Sequence, residues 1–211
     1  KFQNLNILVV GDVMLDNYVW GKVSKMSPEA PVPVVKINSS SSNPGGAANV
    51  ITNLQSLGAN TTIASVIGND KEGNILKSQL LEAGADISML LIDHCRPTTV
   101  KTRIISQNQQ IVRTDWEDIS NLSSELKRKL IDNIQKQIDS YDGIILENYD
   151  KGLLDKEIIS QILKLSKRMN KRIYVDPKEN DFFSFRGVEM VKPNTDELCL
   201  AMDSDVNKIN I

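Results

Sequence analysis

Ile7-Leu8-Val9-Val10-Gly11-Asp12 is the stretch on which the fold turns: four consecutive branched aliphatic residues stopped by a glycine and a carboxylate. A run apolar on every residue, with no polar alternation, suits a parallel strand buried on both faces. The same grammar recurs along the chain. Ile63-Ala64-Ser65-Val66-Ile67-Gly68, Gly143-Ile144-Ile145-Leu146, Arg172-Ile173-Tyr174-Val175-Asp176 and the short Met190-Val191-Lys192 read as further strands. Between them lie stretches of helical spacing: residues 47–57 closed by Gly58, 71–83 closed by Gly84, 123–138 and 155–169. Asn194-Thr195-Asp196-Glu197 opens a last helix. In residues 123–138 the apolar positions Leu126, Leu130, Ile131, Ile134 and Ile138 form one stripe behind a serine start. Strands alternating with helices predict an α/β fold, a doubly wound parallel sheet with helices on both faces.

Two stretches break that rhythm. Residues 18–37 read as two short strands, Tyr18-Val19-Trp20 and Pro33-Val34-Val35-Lys36-Ile37, joined through Ser27-Pro28-Glu29-Ala30-Pro31-Val32-Pro33. Residues 98–115 read as a hairpin turning at Gln107-Asn108. Strands with no helix between them predict a small β-lid, about residues 17–37 and 98–115, over the ends of the main sheet. The serine run 38–43 is expected to be a mobile loop. Residues 1–211 thus read as one domain carrying a lid.

The chain has 211 residues, 25 basic and 27 acidic, for a net charge of −2. That balance argues against general affinity for nucleic acid or an anionic membrane. No apolar run approaches the ~20 residues that span a bilayer. His94 is the only histidine, which argues against a His-rich metal centre or a Ser-His-Asp triad, and His94-Cys95 reads as surface loop. Cys95 and Cys199 lie far apart, which fits a reduced, cytoplasmic setting. Lys1-Phe2-Gln3-Asn4 is neither a signal peptide nor an initiator start, and Asp203-Ser204-Asp205-Val206-Asn207-Lys208 reads as the loop after a helix. Residues are therefore expected beyond this stretch.

In an open α/β sheet, ligands bind beyond the carboxyl ends of the strands. Polar groups fall at four such ends: Asp12 and Asp16; Glu147 and Asn148; Asp176-Pro177-Lys178; Asn194 and Glu197. A second feature is Asn43-Pro44-Gly45-Gly46-Ala47-Ala48-Asn49-Val50, where a glycine pair closes a loop and opens a helix with Asn49 one turn in. Asp16 and Asn49 can exchange hydrogen bonds with hydroxyls, and Gly45 and Gly46 let a ring approach backbone; together they suit a polyol. Lys178 suits a phosphate or nucleotide oxygen as a point charge. Glu197 can hold a magnesium-bound water, although Asn194 and Glu197 also have the spacing of a capping box. In the lid, Lys101, Arg103 and Arg113 surround Asn108 and Gln109, and Lys101 and Arg103 share a strand face. A phosphate on the substrate would account for them.

Several of these stretches resemble one family. Val9-Val10-Gly11-Asp12-Val13-Met14-Leu15-Asp16, Ser27-Pro28-Glu29-Ala30-Pro31-Val32-Pro33-Val34, Pro44-Gly45-Gly46-Ala47-Ala48-Asn49-Val50, Asn108-Gln109-Gln110, Asp176-Pro177-Lys178 and Lys192-Pro193-Asn194 are similar to the ribokinase-like (PfkB) carbohydrate kinases. Within them the resemblance is to the bacterial D-glycero-β-D-manno-heptose 7-phosphate kinases, one half of a bifunctional kinase/adenylyltransferase of lipopolysaccharide synthesis. It implies transfer of the ATP γ-phosphate, with Mg2+, to the anomeric hydroxyl of heptose 7-phosphate. By the same resemblance Asp16, Gly45, Gly46 and Asn49 hold the sugar, and Lys101, Arg103 and Arg113, with Asn108 and Gln109, its phosphate. Lys178, Asn194 and Glu197 then take the nucleotide side, Glu197 reaching the metal through water, and a homodimer forms through the lid. The family's later Gly-Ala-Gly-Asp motif, with its catalytic base, is absent; the base is expected after Ile211, and residues 1–211 alone are expected to be inactive. Leu146-Glu147-Asn148-Tyr149 departs from the usual Ser-Asp-Tyr, with Asn148 at the usual Asp. The alternatives are another sugar kinase of this type or a non-catalytic sugar-phosphate-binding, dimerising module.

Overall fold

The computed structural model describes residues 2–178 and 182–202. Six strands form the main sheet: β1 (Asn6–Gly11), β4 (Asn60–Gly68), β5 (Asp86–Asp93), β8 (Gly143–Glu147), β9 (Arg172–Asp176) and β10 (Met190–Val191). Their order is β10-β9-β8-β1-β4-β5, every pairing parallel. β1 therefore lies where the winding reverses, with β4 on one side and β8 on the other. Leu8, Val9 and Val10 are fully buried, as the unbroken apolar run requires.

Two apolar cores follow from that arrangement. On one face α1 (Ala47–Ser56) and α2 (Lys71–Glu82) pack Ile51, Leu76 and Leu80 against Val9, Ile63 and Ile67. On the other, α3 (Ser124–Gln137) and α4 (Lys156–Arg168) bring Leu130, Ile134, Ile158 and Ile162 onto Leu8, Val10, Ile144 and Leu146. Capping follows the chemistry of the start residues: the side chains of Asp70, Ser123 and Asp155 accept from the amides of Gly73, Leu126 and Ile158. The doubly wound sheet is as the sequence predicts. β5 was not anticipated; its apolar residues at 87–92 run directly on from the helix stop at Gly84, with no glycine or proline to mark a strand of their own.

The second sheet has the order β3-β2-β6-β7, built from β2 (Val13–Met26), β3 (Pro33–Gly46), β6 (Val100–Ser106) and β7 (Gln109–Trp116). β2 and β3 are far longer than the short strands expected. The serine run is strand, not loop: Ser39, Ser40, Ser41 and Ser42 pair with Trp20, Val19, Tyr18 and Asn17. The ladder to β2 supplies what the side chains lack in strand propensity, and Ser42 Oγ donates to Asn17 Oδ1 at 2.6 Å. The turn at Gln107-Asn108 has both residues at positive φ (51° and 64°), the mirror-image turn that matches the twist of a tight hairpin. Residues 203–208, read as a loop, lie outside the described residues.

Candidate functional site

β2 leaves the end of β1 with only Asp12 between them, so the lid grows out of the winding-reversal point. Asp12, one of the polar groups at the strand ends, is a structural anchor. It is buried, and its oxygens accept from the amides of Tyr149 (2.9 Å), Lys151 (3.2 Å) and Leu153 (3.3 Å). Burial still pushes its pKa up, against the pull of those amides.

Asp16 is the fourth residue of β2, opposite Asn43 of β3 and Lys101 of β6. A Cβ built on Gly45 would lie 2.2 Å from Asp16 Oδ2, and one on Gly46 would lie 2.3 Å from the Asp12 carbonyl oxygen. Both glycines are thus required by close approach, Gly46 also by a φ of +58°. They end a strand and do not close a loop, and the space beside Gly45 is filled by the protein's own carboxylate. Gly46 starts α1 with no side-chain cap, and Asn49 is exposed in its first turn.

Strand register places the lid cations with Asp16. Lys101 pairs with Asp16 and Arg103 with Tyr18 across β2 and β6, while Arg113 pairs with Arg103 across β6 and β7. Directly paired residues project from the same face, so all four share one. Each cation there has a carboxylate partner. Lys101 Nζ lies 2.8 Å from Asp115 and 3.5 Å from Glu117, Arg113 Nε 2.9 Å from Asp115, and Arg103 Nη1 2.5 Å from Asp16 Oδ1. Lys151 Nζ reaches Glu117 at 2.8 Å, tying the lid to the loop that Asp12 holds. Hydrogen bonding to Asp16 holds the Arg103 pKa above its ordinary value. The Arg103 guanidinium also lies 5.3 Å from the centroid of Tyr18, which stacks on Trp20. Asn108 and Gln109 are exposed at the hairpin tip, beyond Ser106, which pairs with Gly21; within this chain they do not meet Asp16.

The other strand ends converge as adjacent strands must. Glu147 and Asp176 are register partners, and Asn148 donates its amide to the Asp176 carbonyl. Glu147 is buried, and burial followed by repulsion from Asp176 raises its pKa to about 7. Asn148 is buried too; its Oδ1 accepts from Asp150, while its Nδ2 has no acceptor among the described residues. Tyr149, 37% exposed, lies within electrostatic reach of these groups. Its pKa is raised first by burial, then by the charges of Glu147, Asp176, Asp16 and Glu197. Asn194 and Glu197 form the capping box their spacing predicts, each side chain taking the other's backbone amide at 2.8 Å. Lys178 is exposed after β9. Among the described residues no three acidic, histidine or cysteine side chains converge as a metal-binding group. Tyr18 and Tyr149 escaped the sequence reading, since aromatic residues in strand and loop carry no spacing signal.

A four-stranded lid thus grows from the winding-reversal point of a parallel sheet and carries Asp16 with three cations on one face. Solved structures share that fold. A carbohydrate kinase from Agrobacterium tumefaciens superposes with a TM-score of 0.74 at 17% identity, covering 93% of this chain and 62% of its own. Arabidopsis thaliana ribokinase, solved with ribose and ATP, gives 0.67 at 16%, with 93% and 62% covered. The chain belongs to the pfkB family of carbohydrate kinases, whose family model matches residues 4–209. Among curated proteins it is 45% identical over 205 residues to the bifunctional protein HldE of Helicobacter pylori, covering 95% of this chain and 44% of that one. The HldE protein of Desulfatibacillum aliphaticivorans is 39% identical over 205 residues, covering 97% and 42%. The chain thus spans less than half the length of these relatives.

Proposed function

We propose that this chain forms the sugar-binding part of a kinase that transfers the γ-phosphoryl group of ATP to the anomeric hydroxyl of D-glycero-β-D-manno-heptose 7-phosphate, giving the 1,7-bisphosphate. One observation carries the reading: a carboxylate seated on Gly45 shares a lid face with three cations in successive register. Sugar hydroxyls need an acceptor such as Asp16, and a sugar phosphate needs the guanidinium and ammonium groups beside it. Asn49 adds an exposed amide at the uncapped start of α1. The similarity to bifunctional HldE proteins along nearly the whole chain supports heptose 7-phosphate over other sugars.

On the nucleotide side, Lys178, Asn194 and Glu197 are proposed to hold ATP. Phosphoryl transfer rests on positioning and charge stabilisation, and these side chains follow the carboxyl ends of β9 and β10. Magnesium fits this donor set through water: Glu197 places one carboxylate oxygen in the capping box and leaves the other for an ordered water, and magnesium keeps several waters. Bound there it would neutralise charge on the transferring phosphate. The proton acceptor for the attacking hydroxyl is assigned to residues after Ile211.

The lid is proposed to pair with a second copy. By register Ile37, Val112 and Trp116 lie on the face opposite Asp16, and they are 62%, 44% and 70% exposed. Apolar exposure of that extent on the two edge strands of the lid suits an interface.

The test is phosphoryl transfer by the full-length protein, followed by 31P NMR, against heptose 7-phosphate, heptose, ribose and fructose 6-phosphate. The reading expects the highest kcat/KM with heptose 7-phosphate and a new anomeric phosphate signal. Preference for ribose or fructose 6-phosphate would overturn the choice of sugar.

A further inference from the structure

The ion pair between Arg103 and Asp16 differs in kind from the other lid pairs. Lys101 and Arg113 are neutralised by Asp115 and Glu117, carboxylates with no part in the proposed sugar site. Arg103 is neutralised by Asp16 itself, the carboxylate that would receive the sugar. Asp16 cannot retreat far: its Oδ2 rests over Gly45, where no side chain fits. Arg103 is the movable partner. Its Cα lies opposite Tyr18, two residues (about 7 Å) along the strand from the Asp16–Lys101 pair, so the side chain reaches back to make the contact. The two side chains are only 20% and 24% exposed, so neither charge is left unpaired without cost.

We infer that Arg103 is a substrate-gated latch on Asp16: a sugar phosphate opens it by exchange, its phosphate taking Arg103 while its hydroxyl takes the freed Asp16. A neutral sugar offers Asp16 a hydroxyl but gives Arg103 no anion, so its binding must strand a partly buried guanidinium. Selection for phosphorylated sugars then arises from a penalty on the unphosphorylated one as well as from attraction of the phosphate. The inference rests on the sugar-phosphate reading above and deepens it.

The experiment is calorimetric titration of the full-length protein, without ATP, using heptose 7-phosphate and unphosphorylated heptose against wild type, Arg103→Met and Lys101→Met. Arg103→Met should weaken heptose 7-phosphate by about tenfold or more, the size of one charge-assisted hydrogen bond. The same variant should bind bare heptose tighter than wild type, by roughly threefold or more, because Asp16 no longer has a competitor. Lys101→Met should weaken the phosphorylated sugar without improving the bare one, since its partners are Asp115 and Glu117. If Arg103→Met weakens both sugars in parallel, or leaves bare heptose unchanged, the latch is overturned while the sugar-phosphate reading stands. If wild type binds neither sugar, that reading falls and the latch with it. Thermal melts check that each variant is folded, and a variant that does not fold is replaced by Arg103→Gln, judged by the same criteria.

Discussion

Glu147 and Asp176 stand opposite each other as register partners at the carboxyl ends of β8 and β9, two carboxyl groups brought side by side by parallel pairing. Only one has room to be solvated. Glu147 is buried while Asp176 is part-exposed and lies 3.3 Å from Lys192, so Glu147 carries the cost and its pKa rises to about 7. A carboxyl that keeps its proton near neutrality can donate a hydrogen bond to a ligand oxygen, which an ionised one cannot.

That shift predicts a pH dependence. The folded pKa is about 7 against an ordinary 4.5, so between those values the folded state holds a proton that the unfolded state has lost. Stability should fall as pH rises from about 4.5 to about 7 and then level off. Glu147→Gln should remove this component. Melting temperatures of wild type and variant, measured from pH 4.5 to 8, should therefore lie closest at the low end and diverge most above pH 7, where wild type loses stability and the variant does not; parallel curves would show that Glu147 ionises normally.

Asp16→Ala should weaken sugar binding by roughly 1.5–3 kcal/mol, the value of a hydrogen bond to a charged group. That is about ten- to a hundredfold in Kd, read by titration of the full-length protein. Unchanged affinity in a folded variant would remove Asp16 from the sugar site.

Asp12→Ala acts on architecture. It strands the amides of Tyr149, Lys151 and Leu153, at a cost of about 3 kcal/mol or more. Because Lys151 also holds Glu117 below the lid, hydrogen exchange should speed up in residues 109–117 as well as in residues 149–153. Faster exchange in the loop alone would show that the two move independently.

Asn194 and Glu197 separate by role. Asn194→Ala and Glu197→Ala should each cost about 1 kcal/mol of stability through the lost capping box. Glu197→Ala should in addition raise the magnesium concentration needed for half-maximal turnover. A purely thermal effect would assign Glu197 to capping alone.

Ile37→Lys and Val112→Lys place charges on the outer lid face and should yield a monomer by analytical ultracentrifugation where wild type is a dimer. A wild-type monomer, or a variant dimer, would show that this face is not the interface.

The parallel strands, their helices and most of the helix ends were legible in the sequence because their signals are local. An unbroken aliphatic run such as residues 7–10 permits a strand buried on both faces, and capping chemistry at Asp70, Ser123, Asp155 and Asn194 lies within three residues of what it caps. Asp16, Arg103 and Glu197 could be named as site candidates, because a charged side chain at a strand end or on a strand face shows in one dimension. Their partners could not. Whether Asp12 was free or captured depended on amides more than a hundred residues away. The serine run could not be read as strand, since its stability comes from the ladder to β2 and not from its own propensity. That Arg103 would close on Asp16, and that Glu147 would hold its proton beside Asp176, follows from strand register and burial, which exist only once the chain has folded.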